Sequence, residues 1–104
     1  MIENNISKAI KESRWLSIEY LNSNEELSRY WIAIMDIDIH KKSFFVDAFN
    51  LSKISNETQG IIAAEIYFEK IKKTYIIDNT TYNQPEELIK KNHFKYRLFG
   101  LVRF

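Results

Sequence analysis

The 104 residues carry 15 basic and 14 acidic side chains, a formal net charge of +1, which excludes a protein held to nucleic acid by bulk positive charge. Cysteine is absent, so disulfides, thiol nucleophiles and cysteine metal sites are excluded together, and a reducing compartment is the natural fit. The length suits one domain with one core, for which seven Phe, six Tyr and two Trp supply ample apolar bulk.

Ile2, Ile6, Ala9 and Ile10 recur at helical spacing with Lys8, Lys11 and Glu12 opposite them. This predicts an amphipathic helix over 2–13, too short to stand alone and therefore laid against a sheet. At Trp15 the period becomes two. Leu16, Ile18 and Tyr20 face one way and Trp15, Ser17 and Glu19 the other, which predicts a first strand. Asn22-Ser23-Asn24-Glu25 supplies turn chemistry, and the strand entered at Leu27 completes a hairpin. That strand runs into the densest β-forming stretch of the chain, Tyr30 to Asn50. Ile32 and Ile34 occupy even positions, whereas Ile37 and Ile39 occupy odd ones with Asp36 and Asp38 between, so the buried parity switches near Met35. A one-residue slip would send an apolar set to the opposite face. The switch therefore predicts a β-bulge or sharp coil that bends the strand. His40-Lys41-Lys42-Ser43 makes the next turn, built on a type I geometry. Phe44 to Phe49 returns with apolar groups on both faces, predicting a strand covered on both sides.

After Asn50 the sequence is polar up to Gly60, a surface loop. Ile61 to Ile71 has two readings: Ile61, Ala64, Glu65 and Phe68 could form a helix face, or Ile62, Ala64, Ile66 and Phe68 a strand face. The strand is preferred because β-branched and aromatic residues gather at its end. A turn at Glu69 to Lys72 and a fifth strand over Lys73 to Asp78 follow. Gln84-Pro85-Glu86-Glu87 opens a carboxy-terminal helix, with Pro in the first turn and acids at the positive end of the dipole. The tail from Phe94 to Phe104 is too apolar to trail in water, so it is expected to pack back on the domain, self-associate, or continue into a downstream domain. The organisation expected is a single domain over 1–104: helix 2–13, barrel 15–82, and carboxy-terminal helix and tail 84–104. Its class is α+β, mainly β, with five antiparallel strands strongly bent into a small barrel.

Chemistry-bearing motifs are sparse. Asp36, Asp38 and His40 alternate on one strand face, but two-residue steps of about 7 Å put Asp36 roughly 13 Å from His40, so one ion could be shared only across a bulge. A solvated hairpin face is the preferred reading, and no metal site is assigned. His93 lacks a neighbouring carboxylate. Asn-x-Ser/Thr sequons begin at Asn5, Asn50, Asn56 and Asn79, chance matches in an Asn-rich chain. No glycine-rich phosphate loop, Ser/His/Asp motif or paired metal signature appears, so neither catalysis nor a cofactor is expected. Aromatics interleaved with bases suggest a nucleic-acid platform, because bases stack on exposed rings while Lys and Arg meet phosphates. The candidates are Arg14-Trp15, Arg29-Tyr30-Trp31, and Tyr67 beside Lys70, Lys72 and Lys73; the contact set chosen is Arg14, Trp15, Arg29, Tyr30, Tyr67 and Lys70. Core packing of these aromatics is the competing reading. No apolar run approaches the roughly 18 residues of a membrane span, and the mixed-charge amino terminus is unlike a secretion signal. A cytoplasmic location without membrane contact is expected.

Taken in order, AIKESRWLSIEY, KKSFFVDAFN and IYFEKIKKTYIIDNTTY give the chain a resemblance to the WYL-domain family, Sm-like or SH3-like barrels attached to bacterial regulators and helicase-like proteins. The resemblance covers about residues 6–82. It implies a strongly bent SH3/Sm-like barrel and a regulatory module that binds nucleic acid or a nucleotide ligand. It also implies an amino-terminal place in a longer, helicase-related bacterial protein. Two departures accompany it. Phe44-Phe45-Val46 stands where the family has Trp-Tyr-Leu, and Ala64, Glu65, Tyr67 and Glu69 stand where it has basic residues, with Lys70 keeping a positive charge. The competing expectation is a protein-interaction or dimerisation module that binds no nucleic acid.

Overall fold

A computed structural model describes residues 2–51 and 60–88. Helix α1 (Ile2–Glu12) is followed by β1 (Leu16–Leu21), β2 (Leu27–Asp38), β3 (Ser43–Asn50), β4 (Ile62–Tyr67), a 3-10 turn (Phe68–Lys70) and β5 (Ile71–Ile76). All five strands form one antiparallel sheet in the order β4-β3-β2-β1-β5.

Each element follows from its local pattern. Ile6, Ala9 and Ile10, at i, i+3 and i+4, are the buried stripe of α1. The helix lies against β5 and β1, where Asn5 Nδ2 donates to the Thr74 carbonyl at 3.1 Å and to Thr74 Oγ1 at 2.9 Å. The β1–β2 turn is held by Asn22, whose Oδ1 accepts from the amides of Asn24 and Glu26. Glu25 there takes a left-handed φ of 60°. In the β2–β3 turn Asp38 Oδ1 accepts from the Lys41 amide at 3.0 Å, and Lys42 takes a φ of 54°.

The parity switch is a bulge, as the alternation predicts. Ile34 pairs with Val46 and Asp36 with Phe45, so Met35 is the extra residue. Absorbing it returns Ile37 to the side already occupied by Ile32 and Ile34, and all three are buried. The core joins them to Ile6, Ile10, Leu16, Ile18, Phe44, Val46, Ile66, Ile71 and Leu88. Residues 86–88 are helical, and Leu88 closes the core from that side.

Three expectations change. β3 is not covered on both faces: Phe44, Val46 and Ala48 are buried, while Phe45, opposite in parity, is 39% exposed. The chain between β4 and β5 is a 3-10 turn at Phe68–Lys70, so Phe68 leaves the strand and β5 starts at Ile71 rather than Lys73. Three residues of turn suffice because the Phe68 amide donates back to the Lys42 carbonyl at 2.9 Å. The strand reading of residues 62–67 holds. The loop at 52–59, His93, the tail from Phe94 to Phe104 and most of the expected carboxy-terminal helix lie outside the described residues.

Candidate functional site

Because side chains alternate across a strand, the ladders assign every outward residue to a row. One row crosses four strands: Tyr75 is paired with Ser17, Ser17 with Trp31, and Trp31 with Phe49. Tyr75 is 62% and Trp31 40% exposed, on the face opposite the core residues Leu16, Ile18, Ile32 and Ala48. The next row along is charged, with Lys73 opposite Glu19 and Glu19 opposite Arg29. Each cation is therefore two residues, about 7 Å, from an exposed ring on its own strand. The far end of the face, beyond the bulge, carries Asp36, Asp38 and Glu65, with Asp47 leading to it, and a cation, Lys41, whose Nζ is 3.9 Å from Glu65 Oε2.

A cleft of about 700 Å³ opens beside Trp31, lined by Trp15, Phe49, Gly60, Ile61, Asn79, Thr80 and Thr81. Its wall is built by the segment after β5. The Trp15 amide donates to Thr80 Oγ1 at 3.2 Å, Thr80 Oγ1 donates to the Ile77 carbonyl at 2.6 Å, and the Ile77 amide donates to the Trp15 carbonyl at 3.0 Å. Tyr82 packs edge-on against Trp15, ring centroids 6.4 Å apart. Its hydroxyl donates to the Ile34 carbonyl at 2.6 Å and accepts from Gln84 Nε2 at 3.1 Å, while Gln84 Nε2 also donates to the Ile10 carbonyl. Burial pushes the Tyr82 phenol up to about 12 against the lowering effect of the Gln84 and Ile34 bonds.

The six residues singled out from sequence do not form one patch. Trp15 lines the cleft; Arg14, beside it in sequence, pairs through Nε with Glu12 at 3.5 Å and donates from Nη1 to the Thr80 carbonyl at 3.3 Å, which restrains it as a phosphate contact. Arg29 is exposed in the charged row. Tyr30 packs on the core side, edge-on to Tyr20 with centroids 6.2 Å apart. Tyr67 and Lys70 lie near the 3-10 turn, where Lys70 Nζ is 5.9 Å from the Tyr67 ring centroid and the Tyr67 amide donates to Tyr20 Oη at 2.9 Å. Burial is the main cause that raises the Tyr20 phenol. The sequence choice passed over Trp31 in favour of Tyr30 and left out Ser17, Phe49 and Tyr75. The signal was available: Trp31 opposes Ile32 and Ile34 in parity just as Trp15 opposes Leu16 and Ile18.

The hairpin carboxylates are engaged locally, Asp36 Oδ1 with the Ile37 amide at 2.8 Å and Asp38 with the turn. Among the described residues no three His, Asp or Glu side chains come together as a metal site, and no helix is long and apolar enough to cross a membrane.

Fold and surface together define a mainly β domain with a helix on one side of its sheet and an exposed aromatic row on the other. No family model, curated protein or solved structure matches the chain.

Proposed function

We propose that the protein is a non-catalytic binding module that takes single-stranded nucleic acid, or a nucleotide, on its outer sheet face. The observation that carries this reading is the row of Tyr75, Trp31 and Phe49 with Lys73 and Arg29 beside it. Exposed rings such as Tyr75 and Trp31 stack on bases at about 1–3 kcal/mol per base, and the adjoining cations suit the backbone. Stacking has to supply most of the affinity, since two cations share their row with Glu19 and the bulge end of the face would repel phosphate.

The same reading takes the sheet to be an SH3/Sm-like barrel of the WYL type. Three features support it: the bulge at Met35 that bends β2, the single 3-10 turn joining the two edge strands, and the Tyr67 to Tyr20 bond linking β4 to β1. On this reading the module serves at the amino-terminal end of a helicase-like or regulatory protein. Intrinsic tryptophan fluorescence, titrated with oligothymidylate at about 50 mM salt where phosphate contacts are strongest, tests the ligand. Saturable quenching that Trp31→Ala removes is expected; its absence from the unmodified protein sinks the reading.

A partner protein is the second reading, favoured by a different observation. None of the described residues lining the cleft is charged, and Ile61 among them is 57% exposed. Sedimentation equilibrium distinguishes it: self-association lost on Ile61→Lys would support a protein interface, and a monomer at all concentrations would oppose a dimer.

A further inference from the structure

Tyr75 and Trp31 stand on either side of Ser17, and the smallness of that serine leaves a notch between two exposed rings. β5 and β2 are two inter-strand spacings apart, about 9.6 Å. A flat ring touching an aromatic face on each side at van der Waals distance needs about 7 Å between them. The two side chains have only to lean inward by about 1.3 Å each to close on it. The ends of the notch differ. Glu19, two residues along β1, lies between Lys73 and Arg29, and Trp15, two residues the other way, leads into the cleft.

From this arrangement we infer that one unpaired nucleobase is sandwiched between Tyr75 and Trp31 above Ser17, anchoring a single strand whose backbone runs past Lys73 and Arg29. The inference rests on the nucleic-acid reading above and adds to it a defined base site. A paired base within a duplex cannot enter, because both of its faces are already stacked, so the site selects single strands. Charge orients the strand. Phosphates meet two cations against one carboxylate at the Lys73–Arg29 row and meet Asp47, Asp36 and Glu65 towards the bulge, so the chain follows β5, β1 and the first half of β2 rather than the β2–β3 hairpin. Trp31 also borders the cleft, which gives the next base along the strand a neighbouring site on the Trp15 and Phe49 side.

The test is fluorescence anisotropy of a labelled oligothymidylate of about ten nucleotides, within the usual footprint of one small domain, at about 50 mM salt. Ser17→Phe fills the notch yet enlarges the aromatic surface, so a merely greasy face would bind as well or better. The sandwich requires Ser17→Phe and Tyr75→Ala each to weaken binding on the order of tenfold, and Tyr75→Phe, which keeps the ring, to stay within about twofold. Thermal unfolding checks that Ser17→Phe folds; if it does not, Tyr75→Ala decides alone, at a side chain 62% exposed. Unmodified protein that binds, with neither variant weakened, overturns the sandwich and leaves stacking elsewhere on the face intact. Unmodified protein that fails to bind overturns the nucleic-acid reading and the sandwich with it. Self-association that Trp31→Ala abolishes, in the absence of oligonucleotide binding, assigns the face to a protein partner and overturns both.

Discussion

The Tyr82 hydroxyl connects three segments that are distant in sequence: the β2 carbonyl just before the bulge, Gln84, and through Gln84 the end of α1. Tyr82→Phe leaves the Ile34 carbonyl without this donor, and urea unfolding should report a loss of about 1–3 kcal/mol. Its titration gives a second check. The folded phenol, raised by burial to about 12 from 10, contributes stability that is complete below pH 10 and is lost as pH rises through about 12, because only the unfolded chain ionises first. Tyr20, raised for the same reason, acts in the same direction. Absorbance at alkaline pH should therefore show late-titrating tyrosine, reduced in Tyr82→Phe. Among the described residues Phe44 is the largest fully buried side chain, and Phe44→Ala should cost about 3–5 kcal/mol by the cavity it leaves. That position was legible as apolar bulk, but the one-sided burial of β3 was not. Phe45 and Phe49 are as apolar as Val46 and Ala48, and nothing in the letters says which face receives the helix.

Among the elements, β2 was the most legible because two alternations of opposite parity leave no other way to bury Ile32, Ile34 and Ile37 together. Deleting Met35 puts Ile34 and Ile37 two positions apart, on one face of a regular strand paired one-to-one with Val46 and Phe44, so the buried set is kept and only the bulge and its bend are lost. The expected outcome is a cooperative thermal transition in the deletion as well as in Met35→Ala, which keeps the bulge; a deletion that fails to unfold cooperatively would show that the bend itself is needed. The 3-10 turn was poorly legible, since three residues are too few to show a period and Phe68 fits a strand face equally well. Register was the missing quantity at the site. Each strand's outward residues could be read locally, yet the row of Tyr75, Ser17, Trp31 and Phe49 exists only once three pairings are aligned. Trp31→Ala should change stability by no more than about 1 kcal/mol, as expected of a surface position, while removing the fluorescence response to oligonucleotide.

For the whole molecule, near-neutral charge limits how far electrostatics can serve binding. With Lys73 and Arg29 as the two phosphate contacts, the logarithm of the binding constant should fall against the logarithm of salt with a slope no steeper than about −1.4. A titration series in sodium chloride measures it; a much steeper slope would require cations elsewhere in the chain. The composition made this limit visible at the outset, while the placement of the few useful cations needed the assembled sheet.

The pairing of β1 with β5 has a consequence for how the chain reaches this state. β1–β2 and β2–β3 are hairpins whose partners are close in sequence and can meet early, but Leu16 must find Ile76 across nearly the whole described chain. The entropy of closing that loop is met only after the intervening strands have begun to pair. Folding should therefore be governed by a late zipping of β5 onto β1. α1 docks on those same two strands, so the helix should gain protection from hydrogen exchange together with β5 and after the central hairpins.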